Sequence, residues 1–311
     1  MNTKTIAKRT RKMIAGVAMP IRFSVLRATE AVLGHLSPDL ALLTATVGRD
    51  PALSGHLIRT AHREAGKVGR CIDSVEQAVT LLGLSRIREI VVKLPANPAA
   101  EEAGGMLQRV ADRGMAIGRI AARLADLLPG VAMHFPGYLQ PVASSTAYTL
   151  GLLHDCGLVL LASRLPEYLP FCQSEITTHG NVRANEEQRL FGTDHGLAGA
   201  HLAKAWGLPD LFCQAIRDHN QAGNILQPSR KSSLRQAAAL HGILALAEWL
   251  LARLAGSGPT PPLPDDLSTL FGIDPATLER LYRREPNDPL ALFASEPAMR
   301  VAAWRPRKES P

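Results

Sequence analysis

The sequence predicts an all-α protein, and three observations support that prediction. Alanine and leucine are abundant while aromatic residues make up only 5% of the chain, a composition that favours helices over sheets. Alternating runs of β-branched residues are almost absent, and the nearest case, residues 87–94, has flanks that favour helix. Proline and glycine recur at spacings typical of helix starts and ends. With 311 residues, 46% of them hydrophobic, the chain is long enough for a large core and one or two domains.

Residues 20–94 are predicted to form a set of short helices. Pro51 marks the start of one of them, because proline is well tolerated at the first helical position. Ser74 and Gln77 have the spacing of a capping box ahead of an apolar run, which predicts a second helix start. Gly83 is expected to end that helix, with another helix beginning two residues later.

The rest of the chain divides at segments rich in proline, glycine and alanine. Residues 95–105 form a predicted hinge, a long helix is expected over 106–128, and a strongly apolar helix over 234–254. We therefore expect a basic N-terminal arm (1–19), a main domain (20–255) with subdomains 20–94 and 106–255, and a linker, small helical appendage and tail (256–311).

The positive charge of the chain is concentrated at its N-terminus. The net charge is +7, and residues 1–30 hold seven basic residues against one acidic residue, so the remainder is nearly neutral. This pattern favours a solvated, frayed basic arm. The alternative is a basic segment that binds nucleic acid, anionic lipid or an acidic partner through its charge. No aromatic residue occurs in residues 1–22, so support from base stacking is missing.

Cysteine usage and hydropathy favour a reducing, cytoplasmic setting. The four cysteines are scattered without a C-x-x-C spacing, which indicates free thiols rather than a disulfide framework. We expect no transmembrane segment, because no uncharged apolar run approaches the length that spans a bilayer. The apolar stretch at 13–21 is short and interrupted by proline, so a signal peptide is the weaker interpretation.

Three pairs, each made of an acidic residue next to a histidine, form the one group of residues in the sequence that suggests a chemical site. His154-Asp155 lies in the apolar run GLLHDCGLVLL (151–161), which we interpret as helical. A buried imidazole beside a buried carboxylate is costly unless the two are hydrogen-bonded or hold a metal. The other pairs are Asp194-His195 and Asp218-His219. This predicts a polar site, and its candidate ligand-binding residues are His154, Asp155, Asp194, His195 and His219.

Structural roles remain open alternatives for each of these residues. Asp194 is well placed to cap a helix over 195–206, a role that typically contributes about 1 kcal/mol. His219 falls near the end of a helix over 209–219, where a positive charge interacts well with the helix dipole. His154 and Asp155 can equally form an internal hydrogen-bonded pair.

Five segments of the chain resemble successive signatures of the HDOD family, in order and in spacing. The segments are 49–61, 72–90, 147–168, 191–210 and 215–220. The family is a bacterial relative of the HD metal-dependent phosphohydrolases, and the resemblance covers about residues 20–250. It implies an all-helical, two-lobed module with an HD-like helical bundle. It also implies a signal-transduction or regulatory role, often without catalysis.

The resemblance also gives a test of catalysis. An HD phosphohydrolase needs a histidine upstream of the His-Asp pair, so that several helices converge on one or two divalent ions that activate water. The corresponding stretch here, 112–126, contains no histidine, and His134 lies in the connecting loop, too late to replace it. We therefore expect no catalytic residues and no cofactor, while a divalent metal stays an alternative.

These observations predict a non-catalytic regulatory module that binds a small anionic ligand or a protein partner. The expected binding site is a cleft between the lobes lined by His154, Asp155, His195 and His219. Binding there is expected to rearrange the helices around the hinge at 95–105. One alternative function is a divalent-metal phosphohydrolase acting on nucleotides or cyclic dinucleotides. The other is a nucleic-acid-associated regulator that uses the basic arm.

Overall fold

The protein is all-α, as predicted. The computed structural model describes residues 3–14, 16, 19–65, 71–94, 105–128, 142–174, 181–220, 232–254, 263, 265–271, 275–276 and 278, and none of these lies in a strand. The predicted hinge (95–105, except its last residue), His134 and the tail beyond 296 lie outside the described residues.

The helices fall into an N-terminal and a C-terminal set. Those of the first set are α1 (Thr3–Ile14), α2 (Phe23–Gly34), α3 (Leu40–Val47), α4 (Pro51–Ala65) and α5 (Val75–Val91). The second set comprises α6 (Met106–Leu127), α7 (Ser144–Leu153), α8 (Cys156–Arg164), α9 (Tyr168–Ser174), α10 (Asn181–Phe191), α11 (His195–Ala205), α12 (Asp210–Asp218), α13 (Ser232–Leu254) and α14 (Asp265–Phe271).

The start and stop signals of α5 act as the sequence predicts. The Ser74 hydroxyl accepts a hydrogen bond from the Gln77 backbone N–H at 3.2 Å. The Gln77 side chain in turn accepts from the backbone N–H of Asp73 at 3.1 Å, one residue before the cap. Gly83, at φ +67°, kinks the helix where we expect one helix to end and the next to begin. Glycine takes this left-handed conformation without steric cost.

The N-terminal helices are joined to α6 by a buried ion pair. The Asp50 carboxylate is fully buried and accepts hydrogen bonds from the backbone N–H groups of Leu53 (2.7 Å) and Arg22 (3.1 Å). The Arg22 guanidinium lies 3.2 Å from the same carboxylate and also donates to the Gln108 side chain at 2.9 Å. Since Gln108 lies on α6, this pair fixes the first lobe against the second.

The α6–α7 packing is unusually close because three glycines meet at the crossing. A Cβ on Gly151 would lie 2.5 Å from the Gly118 Cα, and a Cβ on Gly114 would lie 2.6 Å from the Leu152 carbonyl oxygen. Real Cβ atoms do not approach that closely, so larger residues would force the two helices apart. The close crossing brings the side chains of α6 next to the turn that follows α7.

The His154-Asp155 pair does not lie inside a helix, contrary to the interpretation of 151–161 as one helical run. The two residues form a turn between α7 and α8. Both are buried, with His154 fully enclosed. His154 keeps helical backbone angles (φ −58°, ψ −36°), and the departure from them occurs at Asp155 (φ −94°, ψ 6°).

The basic N-terminal segment is not the frayed arm that its charge favours. Residues of this segment form α1, which packs on α11 and α8. The Thr10 side chain is fully buried, and its hydroxyl lies 2.6 Å from the hydroxyl of Thr193. Lys8, Arg9 and Arg11 stay exposed on the same helix. The charge pattern reflects the exposed face of a docked helix.

One described stretch, residues 144–164, is long and apolar enough to cross a bilayer by composition. It comprises α7, the His154-Asp155 turn and α8. In its most apolar window, 83% is buried inside the protein, as is usual for the core helix of a soluble protein.

Candidate functional site

Three buried histidines converge on one point, each held by its Nδ1 atom. His154 Nδ1 donates to the Gly151 carbonyl at 2.7 Å, and His219 Nδ1 donates to the Ile216 carbonyl at 2.6 Å. His195 Nδ1 lies 2.6 Å from the Glu187 carboxylate. A hydrogen bond at Nδ1 fixes both ring orientation and tautomer. The three Nε2 atoms are thereby presented to a common centre.

The Asp155 carboxylate occupies the middle of this histidine cluster. Its Oδ2 lies 3.2 Å from His154 Nε2, and its Oδ1 lies 3.8 Å from His195 Nε2 and 3.6 Å from His219 Nε2. Glu248, from α13, approaches the other side, with Oε1 3.5 Å from His154 Nε2. We call these five residues the HD cluster: His154, Asp155, His195, His219 and Glu248.

A guanidinium from α6 binds the His154 side of the HD cluster. Arg113 Nη1 lies 2.7 Å from His154 Nε2 and donates to Asp155 Oδ2, while Nη2 donates to Glu248 Oε1 at 3.0 Å. The Arg113 side chain is 34% exposed, unlike the buried His154 and Asp155 that it contacts. One cation of the protein itself thus contacts three side chains of the cluster.

The other side of the HD cluster is capped by an amide. Asn220 Nδ2 lies 2.8 Å from His195 Nε2 and 2.9 Å from His219 Nε2, so one NH₂ group can donate to both rings. The amide thus lies against Nε2 of both imidazoles. That is the atom with which such histidines would otherwise bind a metal.

Glu187 is the buried anchor behind His195. Its fully buried carboxylate accepts hydrogen bonds from the Tyr168 hydroxyl at 2.7 Å, from His195 Nδ1, and from the His195 backbone N–H at 2.8 Å. Arg183 Nε lies 3.4 Å away. Burial opposes charge on both partners, but their mutual attraction prevails, which raises the pKa of His195 and lowers the pKa of Glu187.

The charges of the HD cluster support one another despite their burial. Burial disfavours the charged form of Asp155, but His154 and Arg113 outweigh it and hold the pKa of that carboxyl well below its usual range. The pKa of Glu248 is lowered in the same way by the hydrogen bond from His154 and the charge of Arg113. Burial also disfavours a charged His154, but Asp155 and Glu248 raise its pKa to about 9.

The neutral and protonated forms of His154 use the same ring atom differently. A neutral ring accepts the hydrogen bond from Arg113 Nη1, 2.7 Å away, at Nε2. A protonated ring instead donates from Nε2 to Asp155 Oδ2. In both forms the Nδ1–H group remains on the Gly151 carbonyl.

The residue types of the HD cluster are those that bind divalent metals, but other side chains of the protein occupy the positions that a metal would need. Two sets of ligand atoms lie within 4.8 Å of one another, namely His154, His219 and Glu248, and Asp155, His195 and His219. Arg113 binds two members of the first set, and Asn220 binds both histidines of the second. A metal would have to displace both groups and overcome repulsion from the guanidinium. The cluster as arranged therefore does not fit a metal ion.

Comparison with known proteins identifies the family. The sequence matches the HDOD domain over residues 19–222, about two thirds of the chain. The chain belongs to the HDOD family. An uncharacterised protein of Treponema pallidum (strain Nichols) is 26% identical over 241 residues, which are 76% of this chain and 43% of that protein. The chain thus spans less than half the length of this relative.

Solved structures show the same fold. The MmoQ response regulator of Methylococcus capsulatus str. Bath aligns with a TM-score of 0.62 at 24% identity, over 86% of this chain and 98% of that one. A virulence factor of Campylobacter jejuni subsp. jejuni aligns with a TM-score of 0.56 at 16% identity, over 96% of this chain and 100% of that one. At these identities the likeness concerns the fold alone.

The HDOD fold brings together four of the five predicted ligand-binding residues. His154, Asp155, His195 and His219 all belong to the HD cluster. The exception is Asp194, whose carboxylate caps α11 by accepting from the Leu197 backbone N–H at 2.8 Å and also binds the Gln188 amide at 2.7 Å. Its hydrogen-bonding capacity is used there, as the capping alternative predicts.

Within the described part of the chain, one lobe alone supplies the HD cluster, whereas the expected inter-lobe cleft would draw on both lobes. Its members come from the α7–α8 turn, α11, the end of α12 and α13, and Arg113 comes from α6, so every contributor belongs to the C-terminal set of helices. The lobes meet elsewhere, where Trp206 packs so closely on α4 that a Cβ at Gly55 would lie 2.5 Å from the indole ring.

Sequence reasoning missed four members of the HDOD site: Arg113, Glu187, Asn220 and Glu248. A signal existed for Glu248, the one acidic residue in the apolar helix over 234–254. Arg113 lies in the stretch where the upstream histidine of an HD enzyme is expected. Its cationic side chain could therefore have indicated that an arginine takes the place of that metal ligand. Nothing in the local sequence distinguishes Glu187 from its neighbour Glu186.

Proposed function

We propose that this HDOD protein is a non-catalytic signal-transduction module in which Arg113 supplies the positive charge that a metal supplies in an HD phosphohydrolase. The observation that carries this proposal is the contact of one guanidinium with His154, Asp155 and Glu248. A guanidinium neutralises the carboxylates, but it cannot bind and acidify a water molecule as a divalent ion does. The cluster then orders the helices without a reaction centre.

A signalling role is supported by the family and by the fold that the chain shares with the MmoQ response regulator. In this role the module acts by binding a protein partner or a small anionic ligand. The HD cluster holds α6, the α7–α8 turn, α11 and α13 in one arrangement. Because ion pairs connect these elements, a binding event that shifts one of them would also shift the others.

The second candidate function is a divalent-metal phosphohydrolase. The specific observation in its favour is the set of three histidines anchored at Nδ1, an arrangement that is common around metal ions. Its requirement is that Arg113 and Asn220 leave the Nε2 and carboxylate atoms free. Arg113 can do so at lower cost than a fully buried residue because it reaches solvent.

Elemental mass spectrometry of protein purified without chelators, then incubated with Mn²⁺ and desalted, separates the two functions. We expect less than about 0.1 metal per chain in the wild type, and a clear gain in an Arg113→His variant, which adds a ligand and removes the cation. An Arg113→His/Asp155→Ala variant is the matched control and should lose the gain. Near-stoichiometric metal in the wild type that disappears on His154→Ala, together with hydrolysis of bis-p-nitrophenyl phosphate, would establish the hydrolase instead.

A further inference from the structure

A cavity of about 710 Å³ lies away from the HD cluster, where the two lobes meet. Its wall is formed by α1, α4, α8, α11 and the segment before α2. The apolar part of the wall includes Met19, Ile21, Ala52, Leu160, Leu202 and Trp206. The volume lies within the range of small-molecule pockets, and no residue of the wall belongs to the HD cluster.

Among the described residues that line this cavity, the ionisable side chains are all basic or imidazole groups. They are Arg11 from α1, His56 and Arg59 from α4, and His201 and Lys204 from α11. Arg11 and Arg59 are exposed at the rim, and neither forms an ion pair with the described residues. Lys204 is paired 3.1 Å from Asp210, but both of these side chains are largely exposed, which makes the pair weak.

Two histidines line the cavity, and burial is the main reason that the pKa of each is lowered. The charge of Arg59 lowers the pKa of His56 further. The charge of Arg11 lowers the pKa of His201 further, while a hydrogen bond with the Ala7 backbone opposes the shift. His201 Nε2 is shielded from solvent and has no hydrogen-bond partner among the described residues.

We propose that this inter-lobe cavity binds an anionic amphiphile, a small molecule with one phosphate or carboxylate head group on an apolar body. The apolar wall would take the body, while Arg11 and Arg59 at the rim would take the head group. Inorganic phosphate alone would leave the apolar wall unused, so the body is part of the recognition. The bound molecule would touch α4 of one lobe and α11 of the other. The inference is independent of the role of the HD cluster.

The test is isothermal titration calorimetry on the full chain with octyl phosphate, laurate, octanol and inorganic phosphate as probes. Octyl phosphate represents an organic phosphate and laurate an acyl carboxylate, and saturable binding of either supports the proposal and identifies the source. Octanol and inorganic phosphate each lack one half of the recognised chemistry, so each should bind at least about tenfold more weakly. Absence of saturable binding of both octyl phosphate and laurate up to millimolar concentration would overturn the proposal.

Variants decide whether any binding uses this cavity. Arg11→Glu/Arg59→Glu reverses both rim charges and should weaken binding at least about tenfold. The matched control, Lys12→Glu/Arg63→Glu, makes the same charge change on exposed neighbours of the same two helices that do not line the cavity, and should stay within about twofold. Ala205→Trp, at an exposed lining position, should block binding with folding unchanged by circular dichroism. Equal binding by all these proteins would contradict the site.

Discussion

At the residue scale, Arg113 decides what the HD cluster can do. Two carboxylates, Asp155 and Glu248, share this guanidinium, and its removal would leave them with His154 as their remaining cationic partner in the cluster. Breaking a buried ion pair on one side usually costs more than replacing both partners, because an uncompensated charge remains. Arg113 is therefore important for stability as well as for excluding a metal.

We expect Arg113→Met to lower the free energy of unfolding by about 2 kcal/mol, less than for a fully buried pair because a third of the side chain is exposed. Urea denaturation measures the change. Arg109→Met is the control on the same helix, since Arg109 forms no ion pair with the described residues, and it should cost less than about 0.5 kcal/mol. In Arg113→Met/Glu248→Gln part of the loss should return, and a purely additive double variant would contradict the pairing.

The lowered pKa values of Asp155 and Glu248 predict sensitivity to acid. A carboxyl whose pKa is lower in the folded than in the unfolded chain stabilises the fold above its unfolded pKa, and that contribution is lost as the pH falls. We expect the free energy of unfolding to drop between about pH 5 and about pH 2. Denaturation across this range should show a shallower drop for Glu248→Gln. The same slope in both proteins would mean that the Glu248 pKa is ordinary.

At the element scale, the α6–α7 crossing places Arg113 beside the His154-Asp155 turn. The sequence predicts α6 almost to the residue and predicts the Gly83 kink of α5, because both depend on local signals. It fails at the His154-Asp155 turn, because the run 151–161 is apolar apart from this pair and contains no proline to mark the break. The close approach of Gly118 to Gly151 likewise cannot be predicted from the sequence of either helix taken alone.

Gly151→Ala tests this crossing directly. The new methyl group would overlap the Gly118 backbone, so we expect a loss of about 3 kcal/mol in the free energy of unfolding. Gly34→Ala is the control, since a Cβ at Gly34 meets nothing within 4 Å and φ is not left-handed there. It should be neutral or slightly stabilising, because alanine favours helix over glycine. A neutral Gly151→Ala, measured by thermal and urea unfolding, would show that the helices separate more easily than their packing indicates.

At the scale of the whole molecule, two lobes of an HDOD protein share a buried ion pair and a cavity. The Asp50–Arg22–Gln108 contacts and the packing of Trp206 on Gly55 both join the lobes. Sequence motifs predict the family, the all-α class and four residues of the HD cluster. They do not predict which charged groups complete the cluster, because Arg113, Glu187 and Glu248 come from helices far apart in sequence, and only the tertiary fold brings them together.

The most direct test of the central claim is a crystal structure of the wild-type protein grown with excess Mn²⁺, with anomalous diffraction data collected for manganese. We predict the Arg113 guanidinium within hydrogen-bond distance of His154, Asp155 and Glu248, and no anomalous peak at the HD cluster. A peak ligated by His154, Asp155 and His195, with Arg113 turned out to solvent, would contradict the account and favour the metal-dependent phosphohydrolase.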